Sequence, residues 1–375
     1  MPLDECKDEQ PASAILAVLG QFVSDIPNVK FFLTGRPESR IQEGFRLPLL
    51  AKATRVFALH EVESSQVDSD IRAFFRHRLS EIAKRRRGLD GWPTREQVDL
   101  LCDRAAGLFV YAAATVEFID HGDNDPKWRL DLLLRSPESS TREGKTKFNA
   151  NATLDMLYMS ILQEAFINHN PKDDPKIRFV LGAALLTANP LSPSTIATIL
   201  GSDTEDVSRQ LSSVKSLLIL QGADHPVRPF HKSFPDFIVD PTRCTDQRFR
   251  VSPADHHSEL LIGCLEQMNG RLERNMCGLP DAVTNSEVHD LRERAEQYID
   301  PSLRYACGSW HKHLVDEHTA RFPEVIFALR RFLEEKFLFW LEVLSVLGEA
   351  RGAIHALDAT KKWVKKVRSV SSHHT

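Results

Sequence analysis

Ser192-Pro193-Ser194-Thr195-Ile196-Ala197-Thr198-Ile199-Leu200-Gly201 is the stretch on which the fold reading turns. A serine followed by proline in the first helical turn starts a helix, because proline's missing N–H is not needed there. Ile196, Ile199 and Leu200 form the apolar side, and Gly201 supplies the stop. Upstream, residues 179–186 read as a helix. Downstream, Val207, Leu211 and Val214 mark a third helix at positions i, i+4 and i+7. Two short apolar runs follow, Leu217 to Leu220 and Val227 to Phe230, joined by Gly222-Ala223-Asp224-His225-Pro226. Short helices are thus followed by a small hairpin.

Helices followed by a small hairpin make a winged helix. That module suggests DNA binding, yet the third-helix region carries Asp203, Glu205 and Asp206 against Arg209 and Lys215. A helix that faces phosphates is expected to be basic, so protein packing is the better use of this one. Working outward, the period is helical over most of the chain. Val67, Ile71, Phe74, Phe75, Leu79 and Ile82 share a helix face, with Ser65-x-x-Asp68 as its expected cap. Thr94-x-x-Gln97 is a second capping signature. Residues 136–150 read as a loop, 152–168 as a helix, and 250–350 as all helix. The tail ends in the basic amphipathic stretch Lys361-Lys362-Trp363-Val364-Lys365-Lys366. Only the first 60 residues look like α/β structure: a helix at 14–22 and apolar runs at 29–33 and 55–59 that read as strands. The expected fold class is mainly α with a small α/β part.

The chain has 375 residues, 42% hydrophobic and 27% charged. This implies two or more packed units and excludes wholesale disorder, a collagen-like repeat or a disulfide scaffold. Basic residues number 48 and acidic ones 52, a net charge of −4, so no nucleic-acid partner is indicated. Six cysteines without a Cys-x-x-Cys pair read as reduced thiols, which points to the cytoplasm. The start lacks the pattern of a secretory leader. Glu334, Glu335, Lys336 and Glu342 interrupt the apolar run near 332–347, so no membrane partner is expected.

Four places carry potential chemistry. Asp4-Glu5 is a carboxylate pair that would hold Mg²⁺ and polarise a water if fixed at a strand end; a solvated acidic terminus is the plainer reading. Thr34-Gly35-Arg36-Pro37-Glu38 follows the apolar run 29–33, where Arg36 would reach a phosphate or, equally, pair with Glu38 in a surface turn. His231 follows the second hairpin run among aromatics, a setting usual for a core or boundary histidine. Cys307-x-x-x-His311-x-His313 lacks the further ligands of a closed zinc site, so no metal is expected. Gly-x-Ser-x-Gly, Gly-x-Gly-x-x-Gly and the phosphate-cradling Gly-x-x-x-x-Gly-Lys-Ser/Thr do not occur in the sequence.

Taken in order, these pieces resemble the NACHT-type signalling NTPases of the STAND class, particularly the large fungal receptors. Leu3-Asp4-Glu5-Cys6 resembles the end of their extended Walker B motif, and Phe31-Phe32-Leu33-Thr34-Gly35-Arg36 their sensor strand. Ala106-Gly107-Leu108-Phe109 is similar to the Gly-Leu-Pro lid motif. His231-Lys232-Ser233-Phe234 is similar to the segment in which a winged-helix histidine meets the nucleotide. The resemblance implies a nucleotide switch using ATP or ADP with Mg²⁺. Asp4 and Glu5 would serve the metal and attacking water, Arg36 the γ-phosphate, and His231 the β-phosphate of ADP. It also implies an organisation: a remnant of the α/β core at 1–60, a helical lid at 61–135, a linker and helix at 136–175. A winged helix follows at 176–250, a second helical domain at 251–350 and a basic tail at 351–375. Three features depart from the family: Met1 stands where the first Walker B aspartate falls, Phe109 replaces the lid proline, and the phosphate loop is not in these residues. The expectation is therefore no meaningful hydrolysis and weak or no nucleotide binding by these residues alone, with protein partners or self-association as the working mode. The rival reading is a non-catalytic helical adaptor for longer relatives.

Overall fold

A computed structural model describes residues 3, 9–26, 28–35, 39–57, 62–122, 125–135, 150–168, 170–187, 189–280, 284–314 and 321–371. The chain divides into two compact units, Met1–Val67 and Asp68–Thr375. The mainly helical expectation holds, and the sheet among the described residues is a single two-stranded ladder.

In the first unit α1 (Glu9–Phe22), α2 (Ser39–Phe45) and α3 (Pro48–Ala53) surround a small core of Leu3, Leu16, Ile41 and Leu50. Gly44 allows α2 to approach Leu16: a Cβ built there would lie 2.5 Å from Leu16 Cδ1. The strands expected at 29–33 and 55–59 do not form among the described residues. Residues 29–33 and 55–57 run without regular structure, and Ala58 and Leu59 lie outside the described set. A strand is completed by hydrogen bonds to a neighbour, which local apolarity cannot supply. Phe32 is left 89% exposed and Phe57 72%.

The second unit begins with most of α4 (Ser64–Arg85), whose Ile71, Phe75, Leu79 and Ile82 are buried as the periodicity predicts. Its cap differs: the helix starts at Ser64, and the Glu63 carbonyl accepts from the Gln66 and Val67 amides, so Ser65 lies inside the helix. In α5 (Arg95–Ala105) both bonds of the Thr94/Gln97 capping box are present. The chain leaves α5 through Ala106 and Gly107, both at positive φ, and enters α6 (Phe109–Asp120). In α7 (Pro126–Arg135) the buried Arg129 donates to the Phe118 carbonyl at 2.8 Å and pairs with Glu164 of α8 (Ala150–Ala165) at 3.3 Å. One guanidinium thereby satisfies the end of α6 and joins three helices.

The segment expected to form a winged helix contains α9 (Asp174–Leu185), α10 (Pro193–Leu200), α11 (Thr204–Ser213), β1 (Leu218–Ile219) and β2 (Arg228–Pro229). Ser192 caps α10 through the Thr195 amide, and Gly201 ends it at φ 60°. The antiparallel strands pair Leu218 with Pro229 and Ile219 with Arg228. The acidic residues of α11 have local structural roles. Asp203 accepts from the amides of Glu205 and Asp206, and Asp206 pairs with Lys176 of α9 at 3.1 Å. After the short α12 (Ser233–Val239), the long α13 (Pro253–Arg271) runs through the centre of the remaining helices. Gly263 lets it cross α10 closely, since a Cβ there would meet Ile199 Cγ2 at 2.6 Å. α14 (Leu291–Tyr298), α15 (Pro301–Ser309) and α16 (Phe322–Arg331) follow. A π turn at Phe332–Lys336 then leads to α17 (Phe337–Val346) and α18 (Ala350–Ser371). Trp310, Phe332 and Trp340 form a buried aromatic cluster, and the Trp340 indole donates to the Cys307 carbonyl at 2.9 Å. None of the described helices is long and apolar enough to cross a membrane.

Candidate functional site

Of the site residues expected from sequence, Asp4, Glu5 and Arg36 lie outside the described residues. Their flanks are joined: the Leu3 amide donates to the Thr34 carbonyl at 2.8 Å, and Leu3 is buried in the core of the first unit. In the second unit, His231 sits just after β2, at the entry to α12, half-buried.

The ring of His231 is held at Nδ1 by Ser233. Its Nδ1 accepts from the Ser233 amide at 3.2 Å and lies 2.7 Å from Ser233 Oγ. An Nδ1 that accepts a backbone N–H carries no proton, which assigns the ring proton to Nε2. The Ser233 hydroxyl then donates to Nδ1, and Tyr158 Oη, 2.7 Å from Ser233 Oγ, donates to the serine. The chain Tyr158–Ser233–His231 thus runs from a buried tyrosine of α8 to a histidine that presents Nε2–H. Such a donor suits an anionic oxygen.

α8 grips α12 at both ends. At its start, the Tyr158 ring lies 5.2 Å from Phe234 and 5.5 Å from Phe237, and burial pushes the phenol above its ordinary range. Beyond its end, Arg243 forms a forked pair with Asp155, with Nη2 2.7 Å from Oδ1 and Nε 3.1 Å from Oδ2. Those hydrogen bonds raise the Arg243 pKa despite partial burial. Asp155 and Tyr158 stand three residues apart on one helix face, so α8 acts as a rigid backing for the histidine. Neither residue was legible as part of the site. Ser233 lies within the quoted motif, two residues from His231, whereas Tyr158 sits 75 positions before Ser233 and carries no local signal.

The lid-like turn at Ala106-Gly107-Leu108 leads into α6, which packs on α8 and on the 3₁₀ turn Lys215–Leu217 before β1. Phe109, at the position of the family's proline, is 46% exposed. The Cys307/His311/His313 spacing is put to another use. Cys307 is buried on the apolar face of α15. His313 bonds to Tyr305 Oη through Nε2 at 2.8 Å and to His257 Nδ1 through Nδ1 at 3.0 Å. Among the described residues no group of three or more His, Cys, Asp or Glu is placed to hold a metal ion. Cys102, Cys244, Cys264, Cys277 and Cys307 are free thiols, all buried. Burial pushes Cys244 up to about 11 and Cys307 to about 12, so neither is a poised nucleophile.

No known family profile and no solved structure matches the chain. The chain is similar to the vegetative incompatibility protein HET-E-1 of Podospora anserina, with 23% identity over 380 residues. That alignment covers 95% of this chain and 26% of the relative, so the chain spans about a quarter of the length of the curated protein it matches. The likeness supports a distant, family-level link to this fungal incompatibility protein.

Proposed function

We propose that this chain is the helical regulatory part of a NACHT-type signalling switch, in which His231 contacts the β-phosphate of bound ADP. The observation that carries this reading is the Tyr158–Ser233–His231 chain. It presets an Nε2–H donor at the entry to α12, where the motif similar to the family's winged-helix histidine lies. The similarity to a fungal incompatibility protein across nearly the whole chain supports the same class of role. Asp4, Glu5 and Arg36 would complete the site with Mg²⁺ and the γ-phosphate. Backbone amides and the lysine of a phosphate loop supply most contacts to a bound nucleotide. These residues contain no such loop, so strong binding requires a polypeptide that provides one.

Titrating fluorescent ADP with Mg²⁺ tests this, first onto the chain alone and then with a loop-bearing relative added. The expected result is no saturable binding alone and binding in the mixture that weakens in His231→Ala. Micromolar binding by the chain alone, or a complex indifferent to His231→Ala, refutes the reading.

A second reading, a non-catalytic adaptor, is favoured by the exposed apolar side chains of the first unit, Phe32, Val56 and Phe57. It predicts stable co-elution with a longer relative whether or not nucleotide is present. Strictly monomeric behaviour in such mixtures eliminates it.

A further inference from the structure

We propose that a cleft between α9, the 247–252 segment and the start of α13 binds a phosphate-bearing small molecule. The cleft has a volume of about 460 Å³ and is lined by Asp174, Arg178, Gln247, Arg248, Arg250 and Ser252. That volume is in the range of small-molecule sites. It brings three guanidinium groups to one concavity, in a protein whose net charge is −4.

The arginines are positioned differently. Arg248 is fixed: it makes a forked pair with Asp246, with Nη2 2.6 Å from Oδ2, and its guanidinium lies 4.9 Å over the Phe249 ring. Arg178 is steered by one bond, donating to the Gln247 carbonyl at 3.2 Å. Neither Arg178 nor Arg250 forms an ion pair with a carboxylate among the described residues, and both are half-buried. Partly dehydrated guanidiniums outside a close ion pair bind an entering anion more strongly than surface lysines do, because less hydration is lost and the planar fork engages two oxygens, although Glu259 and Asp174 lie near Arg178 and on the cleft wall. Ser252 adds a hydroxyl at the first turn of the 19-residue α13, where the helix dipole also favours negative charge. Its own cap bond to the Asp255 amide is long, at 3.4 Å. A phosphoryl group, with three acceptor oxygens and nearly two negative charges, matches this donor set better than a single carboxylate. Asp174 shares the wall with the three arginines, which outnumber it. The cleft shares no residue with the His231 site and does not depend on the nucleotide reading.

Calorimetric titration of the whole chain with pyrophosphate, inorganic phosphate and citrate tests the assignment. Pyrophosphate is expected to bind saturably and to weaken at least about tenfold in Arg250→Gln or Arg178→Gln, the loss of one forked contact. Arg209→Ala should leave it unchanged. Arg250→Lys keeps the charge, separates a binding effect from any folding defect of the glutamine variant, and should still lose most of the affinity. No heat with pyrophosphate at millimolar concentration, binding unaltered by the arginine substitutions, or equal binding of citrate overturns the proposal.

Discussion

Lowering the pH from 7 to 5.5 should destabilise the second unit through two histidines buried without charge compensation. His256 and His313 are 3% and 2% exposed. Neither His256 ring nitrogen has a hydrogen-bond partner, and the ring packs edge-on against Phe179 at 5.2 Å. Burial drives both pKa values down to about 3, with neighbouring histidines adding to the effect. A histidine with a depressed folded-state pKa is protonated more readily in the unfolded chain, so stability is complete above about 6.5 and falls as the pH drops towards 3. Each group then costs about 1.3 kcal/mol between pH 7 and 5.5, and the pair about 2–3 kcal/mol. Carboxylates held low by their partners, such as Asp300 at about 2, exert their effect below pH 4 and leave this window to the histidines. Glu259, raised by burial, acts in the opposite direction. Urea denaturation followed by circular dichroism at several pH values measures the slope; burial also lowers His121, His257 and His311, which add to it, and His256→Leu should remove about 1.3 kcal/mol of the fall between pH 7 and 5.5. A stability that stays level from pH 7 to 5.5, or an unchanged slope in His256→Leu, refutes the reasoning.

Three further outcomes are expected. Ser233→Ala strands the buried Tyr158 Oη, while His231 Nδ1 keeps its bond from the residue-233 amide, and should cost about 1–3 kcal/mol in chemical denaturation. Gly182→Ala places a Cβ 2.6 Å from His256 Nδ1, so calorimetry should register overpacking of about 1–3 kcal/mol. Arg243→Leu leaves Asp155, 16% exposed, without its forked partner and should cost about 3 kcal/mol. The double substitution Asp155→Leu/Arg243→Leu should recover most of that loss in the same denaturation assay.

Helix ends were readable because their causes are local. Ser192 and Pro193 open α10 and Gly201 closes it. Thr94 and Gln97 cap each other, and Asp203 explains why the first turn of α11 is acidic. The short hairpin was legible for the same reason, since two apolar runs flank a turn-forming segment. At Ser65 the reading slipped by two positions, because Glu63, not a residue with a recognisable capping side chain, stands before the first turn.

What the sequence by itself determined was the helical character, the order of the elements and the candidacy of His231, all consequences of interactions within a few residues. Tertiary structure alone decided that Tyr158 and Asp155 back the histidine. It also decided that His313 turns to His257 and Tyr305, and that three arginines from separate segments meet at one cleft. It decided, too, that among the described residues 29–33 and 55–57 form no strand. A strand or a relay exists only when distant segments meet, and no local pattern encodes which segments those will be.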